Sequence, residues 1–485
     1  MLNRYPTACQ TQAESASDLG RRRSEAPSTG TIARMTGEIA IASKVAPGTR
    51  ARLPDGFVWG AATSAYQVEG ATTADGRGES IWDRFTRQPG TIGDGSTGDT
   101  ACDHYHRWER DVALMAELGL GAYRFSVAWP RVVPAGRGVV NPAGLDFYER
   151  LVDGLLAAGI TPLPTLYHWD LPQALEDAGG WPVRATADAF ADYAVAVVER
   201  LGDRVGTWMT INEPYVPAYL GYISGEHAPG RNDVDAGLAA CHHLLVAHGL
   251  ALGRIRELAP SARAGIVLNF TPTVPASDDP ADVELAELRE DLENRWFIEA
   301  LAGRQYPPRV VERYRWRGEE IVAGDAELIA QPIDVLGINY YTRQIVRADG
   351  AGHEPPGPTT AMGWEIHPES FGTLLRSIHS RYGFPRYVIT ENGAAMRDHR
   401  RVDGRVDDAD RIDYLRSHLA EVAAAIADGM PIEGYMVWSL LDNFEWAYGY
   451  SHRFGIVEVD PATLERIPKA SALWYADVAR TGVVS

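Results

Sequence analysis

The chain has 485 residues, 45% hydrophobic and 23% charged, a globular composition and not a disordered or fibrous one. Its 46 basic residues against 65 acidic ones leave a formal charge of −19, a poor electrostatic match for nucleic acid or an anionic membrane face. No uninterrupted apolar run reaches the roughly 18 residues of a membrane span, and Cys9, Cys102 and Cys241 form neither a metal-binding pair nor a disulfide framework, which suits a reducing, cytoplasmic setting.

The N-terminal stretch 1–52 reads as a disordered extension. Residues 1–50 carry seven basic residues, four acidic ones and one aromatic, Tyr5, among many small polar residues, too little apolar surface to offset chain entropy. The run Arg21–Arg23 resembles the start of a twin-arginine export signal, but Ser-Glu-Ala-Pro-Ser follows it where an apolar segment is needed. Met35 is a second candidate start.

From Leu53 the pattern is uniform, so 53–485 reads as one domain. Short β-type runs fall at 57–63, 122–127, 160–166, 207–211, 264–270, 334–338, 387–390 and 434–438, with amphipathic helical stretches between them. In one, Asn141 suits the N-cap and Pro142 the first turn; Leu145, Tyr148, Leu151, Val152, Leu155 and Leu156 follow at helical spacing, and Gly159 closes it. The stretch 408–428 repeats the pattern with Ile412, Leu415, Leu419, Val422 and Ile426. Eight strand–helix units predict an α/β fold, a closed (β/α)8 barrel with its site at the C-terminal ends of the strands. The first strand leads into Ser-Ala-Tyr-Gln, not a glycine-rich dinucleotide loop, and there is no phosphate-binding P-loop motif.

Side chains at those strand ends converge on one mouth. In order they are Gln67, Arg124, His168-Trp169-Asp170, Asn212-Glu213, Asn269, Asn339-Tyr340-Tyr341, Glu391-Asn392, and the segment from Trp438 to Glu445-Trp446. Glu213 and Glu391 each follow an apolar strand directly. Glycosidic cleavage needs such a pair: one acid to protonate the leaving oxygen, one carboxylate to meet the cationic anomeric carbon. Taken singly, either Glu fits a helix cap or an arginine pair equally well. Trp438 alone fits a core residue, and His168 alone a satisfied buried histidine.

Seven segments together resemble family 1 glycoside hydrolases, the β-glucosidases: Tyr-Gln-Val-Glu-Gly (66–70), Tyr-Arg-Phe-Ser-Val-Ala-Trp (123–129), His-Trp-Asp (168–170), Thr-Ile-Asn-Glu-Pro (210–214), Gly-Ile-Asn-Tyr-Tyr (337–341), Ile-Thr-Glu-Asn-Gly (389–393) and Trp-Ser-Leu-Leu-Asp-Asn-Phe-Glu-Trp (438–446). The resemblance runs from Leu53 to the end and includes Arg466-Ile-Pro-Lys-Ala-Ser. It implies a retaining β-glucosidase acting by double displacement on cello-oligosaccharides or aryl β-glucosides. Glu391 matches the nucleophile and Glu213 the acid/base. Arg124 matches the arginine beside the nucleophile, Tyr341 the hydroxyl that bonds it, and Asn339 lies in a matching supporting position. Gln67, His168, Asn212 and Glu445 match groups that bond the sugar hydroxyls. Trp438 matches the platform under the ring, Trp446 a further hydroxyl contact, and Trp364 the aromatic on the aglycone side. A carboxylate at 445 repels a 6-phosphate and favours unphosphorylated sugars.

No cofactor and no metal is expected: His104 and His106 stand two apart, and the adjacent His242 and His243 point to different helix faces. The expected partner is a small-molecule β-glycoside, not nucleic acid or membrane; the oligomeric state is left open. A 6-phospho-β-glycosidase, a transglycosylating β-glycosidase and a non-enzymatic carbohydrate-binding protein stand as alternatives.

Overall fold

The computed structural model describes residues 50–350 and 354–485. Most of the expected extension, including Cys9, Arg21–Arg23 and Met35, lies outside the described residues. Ala51–Arg52 pair antiparallel with Val483–Val484, so the two ends of the described fold are stitched together.

Eight parallel strands close into a barrel in sequence order. They are β1 (Val58–Ala62), β2 (Ala122–Ser126), β3 (Thr161–Tyr167), β4 (Thr207–Asn212), β5 (Arg263–Asn269), β6 (Val335–Asn339), β7 (Tyr387–Asn392) and β8 (Ile432–Trp438). Each lies within two residues of its expected bounds at either end. Among the described residues seven long helices accompany them: α1 (His104–Glu117), α2 (Pro142–Ala157), α3 (Ala185–Leu201), α4 (Val234–Leu258), α5 (Pro368–Tyr382), α6 (Ala409–Ala427) and α7 (Ala470–Thr481). The β5–β6 crossover is built from shorter pieces, among them Pro280–Glu290 and Trp296–Leu301.

Helix α2 starts at Pro142 as its sequence suggests, but the Asn141 side chain does not cap it. Its Nδ2 donates instead to the carbonyls of Asp75 (2.8 Å) and Arg131 (2.9 Å), tying two loops together. At the other end Gly159 takes φ 74°, the left-handed turn that lets the chain re-enter β3. Helix α4 is a second departure: at 25 residues and a mean hydropathy of 1.3 it is long and apolar enough to cross a membrane, yet 83% of that apolar window is buried inside the fold. Its three histidines interrupt the apolar run and make internal bonds, His242 to Tyr306 and Asp325, His243 to the Trp181 carbonyl, and His248 to Thr210.

The hydrophobic interior forms two clusters. The large one fills the layer between strands and helices. The small one contains Ala62, Ala122, Leu163, Met209, Val267, Val335, Val388, Met436 and Trp438, with at least one residue from every strand. This is the filled lumen of a barrel, and the end against which Tyr341, Met362 and Trp364 pack, the first and last of them on Phe454, is the floor of the mouth.

Candidate active site

The strand ends bring Arg124, Asn212, Glu213, Asn339, Tyr341 and Glu391 into one hydrogen-bonded network, whereas Tyr340 and Asn392, expected at the same mouth, bond instead to His367, Tyr414 and Tyr435. Arg124, fully buried on β2, is its hub. Nη1 donates to Glu391 Oε1 (2.6 Å), Nη2 to Asn212 Oδ1 (2.6 Å) and Nε to Thr165 Oγ1 (3.1 Å). Glu391 takes a second donor on its other oxygen from the Tyr341 hydroxyl (2.6 Å). Asn339 Nδ2 bridges Asn212 Oδ1 (3.1 Å) and Glu213 Oε1 (2.6 Å), and its own carbonyl accepts from Thr390 Oγ1 (2.6 Å). A continuous path of bonds therefore runs Glu213–Asn339–Asn212–Arg124–Glu391.

The two carboxylates have different surroundings. Burial, reinforced by the facing Glu391 charge, pushes the Glu213 carboxyl up to about 8; the Asn339 bond and Arg124 only partly offset this. Glu213 also sits at φ 46°, a strained conformation for a residue with a side chain. It is held there by its N–H bond to the Val267 carbonyl (2.9 Å), the step that carries β4 onto β5. Trp169 (φ 77°) and Trp446 (φ 46°) are held in the same left-handed region, so three bends re-aim side chains at this mouth.

The remaining candidates form the wall. Asn212 Nδ2 donates to His168 Nε2 (3.0 Å). Burial, with Arg124 nearby, holds the His168 pKa well below the ordinary histidine range, so the ring is neutral. It lies nearly parallel between Trp438 (centroids 5.9 Å, 22°) and Trp446 (6.0 Å, 23°). Gln67 Nε2 donates to Asn443 Oδ1 (3.0 Å) and the Phe444 carbonyl (2.8 Å) and lies 3.5 Å from Glu445 Oε2. Burial, then the Glu391 charge, pushes the Glu445 carboxyl up to about 8. Trp364, half-buried, stands 5.7 Å from the Tyr341 ring. All twelve candidates thus belong to this mouth or its floor. Among the described residues no group of three or more His, Cys, Asp or Glu could hold a metal ion.

Paired buried carboxylates, one gripped by a cation and a hydroxyl and one kept protonated at neutral pH, in a cleft of aromatic rings and amides, are suited to protonating and cleaving a sugar acetal. The family model of glycosyl hydrolase family 1 matches residues 49–483. The chain belongs to glycosyl hydrolase family 1. This family 1 chain is 47% identical over 436 residues to beta-glucosidase A of Acetivibrio thermocellus, covering 88% of this chain and 97% of that one. It is 52% identical over 441 residues to thermostable beta-glucosidase B of Thermobispora bispora, covering 88% and 90%. The solved beta-glucosidase of Thermotoga maritima in complex with glucoimidazole superposes with a TM-score of 0.86 at 46% identity, covering 89% of this chain and 99% of that one. The family 1 chain is accordingly an enzyme, a glycoside hydrolase.

Several residues of the site were not singled out by sequence. Thr165 and Thr390 orient Arg124 and Asn339 from mid-strand; Thr165 carries no local signal, and Thr390 lies inside a quoted motif without a role of its own. Trp169 donates from Nε1 to the Asn212 carbonyl (2.9 Å) and packs on Trp446 at 4.5 Å. Asn443 anchors Gln67 and donates to Ser439 Oγ (3.0 Å). Trp169 and Asn443 lie inside quoted motifs; Trp169 stands among the strand-end residues, but neither has a role assigned from sequence.

Proposed function

We propose that this family 1 enzyme is a retaining β-glucosidase that removes terminal β-D-glucosyl residues from cello-oligosaccharides and aryl β-glucosides. The observation that carries the reading is the pairing of Glu391, bonded by Arg124 and Tyr341, with a Glu213 kept protonated at neutral pH in the same network. The curated relatives, named as beta-glucosidases, support the substrate class.

In the first step Glu213 gives its proton to the leaving oxygen while a Glu391 oxygen attacks the anomeric carbon, giving a glycosyl ester and a free aglycone. Ester formation leaves the effect of burial in place but removes the Glu391 charge that added to it at Glu213. Its acidity then rises, and as a carboxylate it takes a proton from the incoming water, whose oxygen displaces Glu391. Asn212, beside the acid, bonds the 2-hydroxyl, a contact that strengthens in the transition state. His168, Gln67 and Glu445 hold the other hydroxyls, with Trp438 as the platform under the ring, Trp446 as a further hydroxyl contact and Trp364 on the aglycone side.

Glu445 favours plain over 6-phosphorylated sugars, because a buried carboxyl without a facing cation gives a phosphate no counter-charge. A cytoplasmic setting belongs to the same reading, on the isolated cysteines. NMR of the first product formed from nitrophenyl β-glucoside tests the mechanism. The expected product is β-glucose, which mutarotates later; α-glucose as the first product would contradict double displacement. A panel of plain and 6-phosphorylated glucoside, galactoside and fucoside fixes the preferred sugar.

A further inference from the structure

Of the 46 basic residues in the chain only two are lysines, Lys44 and Lys469. Lys44 lies outside the described residues. Lys469 is fully buried, at the start of α7, and takes no part in the chemistry above. Its Nζ donates to Asp398 Oδ2 (2.8 Å) and Asp442 Oδ1 (2.7 Å), carboxylates that are themselves nearly fully buried.

The two partners belong to different active-site loops. Asp398 lies in the loop that leaves β7 after Glu391, and its other oxygen accepts from Arg411 Nη1 of α6 (3.0 Å). Asp442 lies in the loop that leaves β8, three residues before Glu445 and four before Trp446. Asp442 Oδ1 also accepts from the Gly455 N–H (2.9 Å), and the Asp442 N–H donates to the Val457 carbonyl (2.9 Å). The Lys469 backbone is fixed in turn by its N–H bond to the Ile456 carbonyl (2.9 Å).

A buried charge cluster is a weak source of stability, since well-packed apolar side chains do as well or better; geometric specification is the better-attested use. The residue type agrees. A compact ammonium with three rotatable donors can bridge two carboxylates approaching from separate loops, whereas a planar guanidinium demands room and a fixed fork. Among the described residues of a chain that otherwise uses arginine, the one lysine stands where two carboxylates from separate loops converge on a single nitrogen.

We propose that Lys469 is a positioning residue for sugar recognition, locking the loop that carries Glu445 and Trp446 to the loop that follows Glu391. The lock fixes the spacing between the groups that read the far side of the sugar and the group that attacks its anomeric carbon. It rests on the proposed role of Glu445 as a hydroxyl contact and takes those hydroxyls to be the ones at positions 4 and 6, beside the place a 6-phosphate would occupy.

The test is kcat/KM on nitrophenyl β-glucoside and nitrophenyl β-xyloside, which lacks the hydroxymethyl group, for the parent, Lys469→Arg, Lys469→Met and Asp442→Asn. Asp442→Asn keeps the shape, the Gly455 bond and the Lys469–Asp398 pair and leaves only a neutral hydrogen bond where the ion pair joined the two loops, so it tests the charge of the lock where a Lys469 variant does not fold. The expected result is a glucoside value that falls roughly tenfold more than the xyloside value, with arginine failing to restore it. Equal loss on both sugars, as a merely structural role predicts, or unchanged kinetics would overturn the lock. Glu445→Ala tests the underlying reading separately. If it leaves the glucoside-to-xyloside ratio untouched, that reading falls and the lock with it. If it collapses the ratio while the Lys469 and Asp442 variants do not, the lock alone falls.

Discussion

Glu213 and Glu391 are the same side chain in different settings, and the setting assigns the chemistry. The acid is raised from an ordinary 4.5 to about 8, first by burial and then by the charge of its partner. Two consequences follow, with signs that can be checked. Activity needs the protonated form, so kcat/KM falls as pH rises through about 8. Stability is linked as well. The folded state holds this proton more tightly than the unfolded one, so its contribution is greatest below 4.5 and is lost as pH climbs toward 8. Replacing Glu213 with Gln removes the penalty. Glu213→Gln is therefore expected to be inactive on poor leaving groups yet to melt above the parent, by a margin that widens from pH 5 to pH 8 in calorimetric scans. A margin independent of pH would contradict the assignment of that shift to residue 213. These contrasts were only partly legible in sequence: the types and order of Glu213, Glu391, Arg124 and Tyr341 were readable, but Thr165, Thr390 and Asn443 act through contacts between strands far apart in the chain.

Where elements meet, the tolerances are set by backbone. Gly393, two residues past Glu391, lies so close to the end of β8 that a Cβ added there would meet the Trp438 carbonyl oxygen at 1.8 Å. Gly393→Ala must push β7 and β8 apart at the mouth, displacing Glu391 from Trp438. A loss of about 10²-fold in kcat/KM is expected, with far-ultraviolet circular dichroism unchanged; near-parent activity would mean the two strand ends can separate freely. The strands themselves were legible because each is a short apolar run between polar ends, a pattern that survives without knowledge of the fold. Asn141 does stand at the N-cap position, but its side chain escapes local reading for the opposite reason. A cap is inferred from local sequence, but this amide is recruited by two carbonyls, one of them on a loop more than sixty residues away.

At the scale of the whole molecule, the closed barrel turns eight local strand–helix units into one cleft. The filled lumen below the mouth makes the site a surface of fixed side chains and not a pore. Helix α4 marks the limit of sequence reasoning at this scale. Its length and mean hydropathy would suit a membrane; the histidines that interrupt its apolar run argue against a span, and its burial against the barrel assigns it to the interior. The C-terminal segment closes the system from behind, with Arg466 bonded to Asp111 and Cys102 and Lys469 to both active-site loops. Its motif was readable, but its role required knowing which loops it reaches. The account depends on a sugar ester forming at Glu391, and Glu391→Ala assayed with and without azide tests this most directly. The variant should fold, lose hydrolysis, and regain turnover with azide, releasing α-glucosyl azide. Full hydrolysis without azide, or a β-configured azide product, would contradict it.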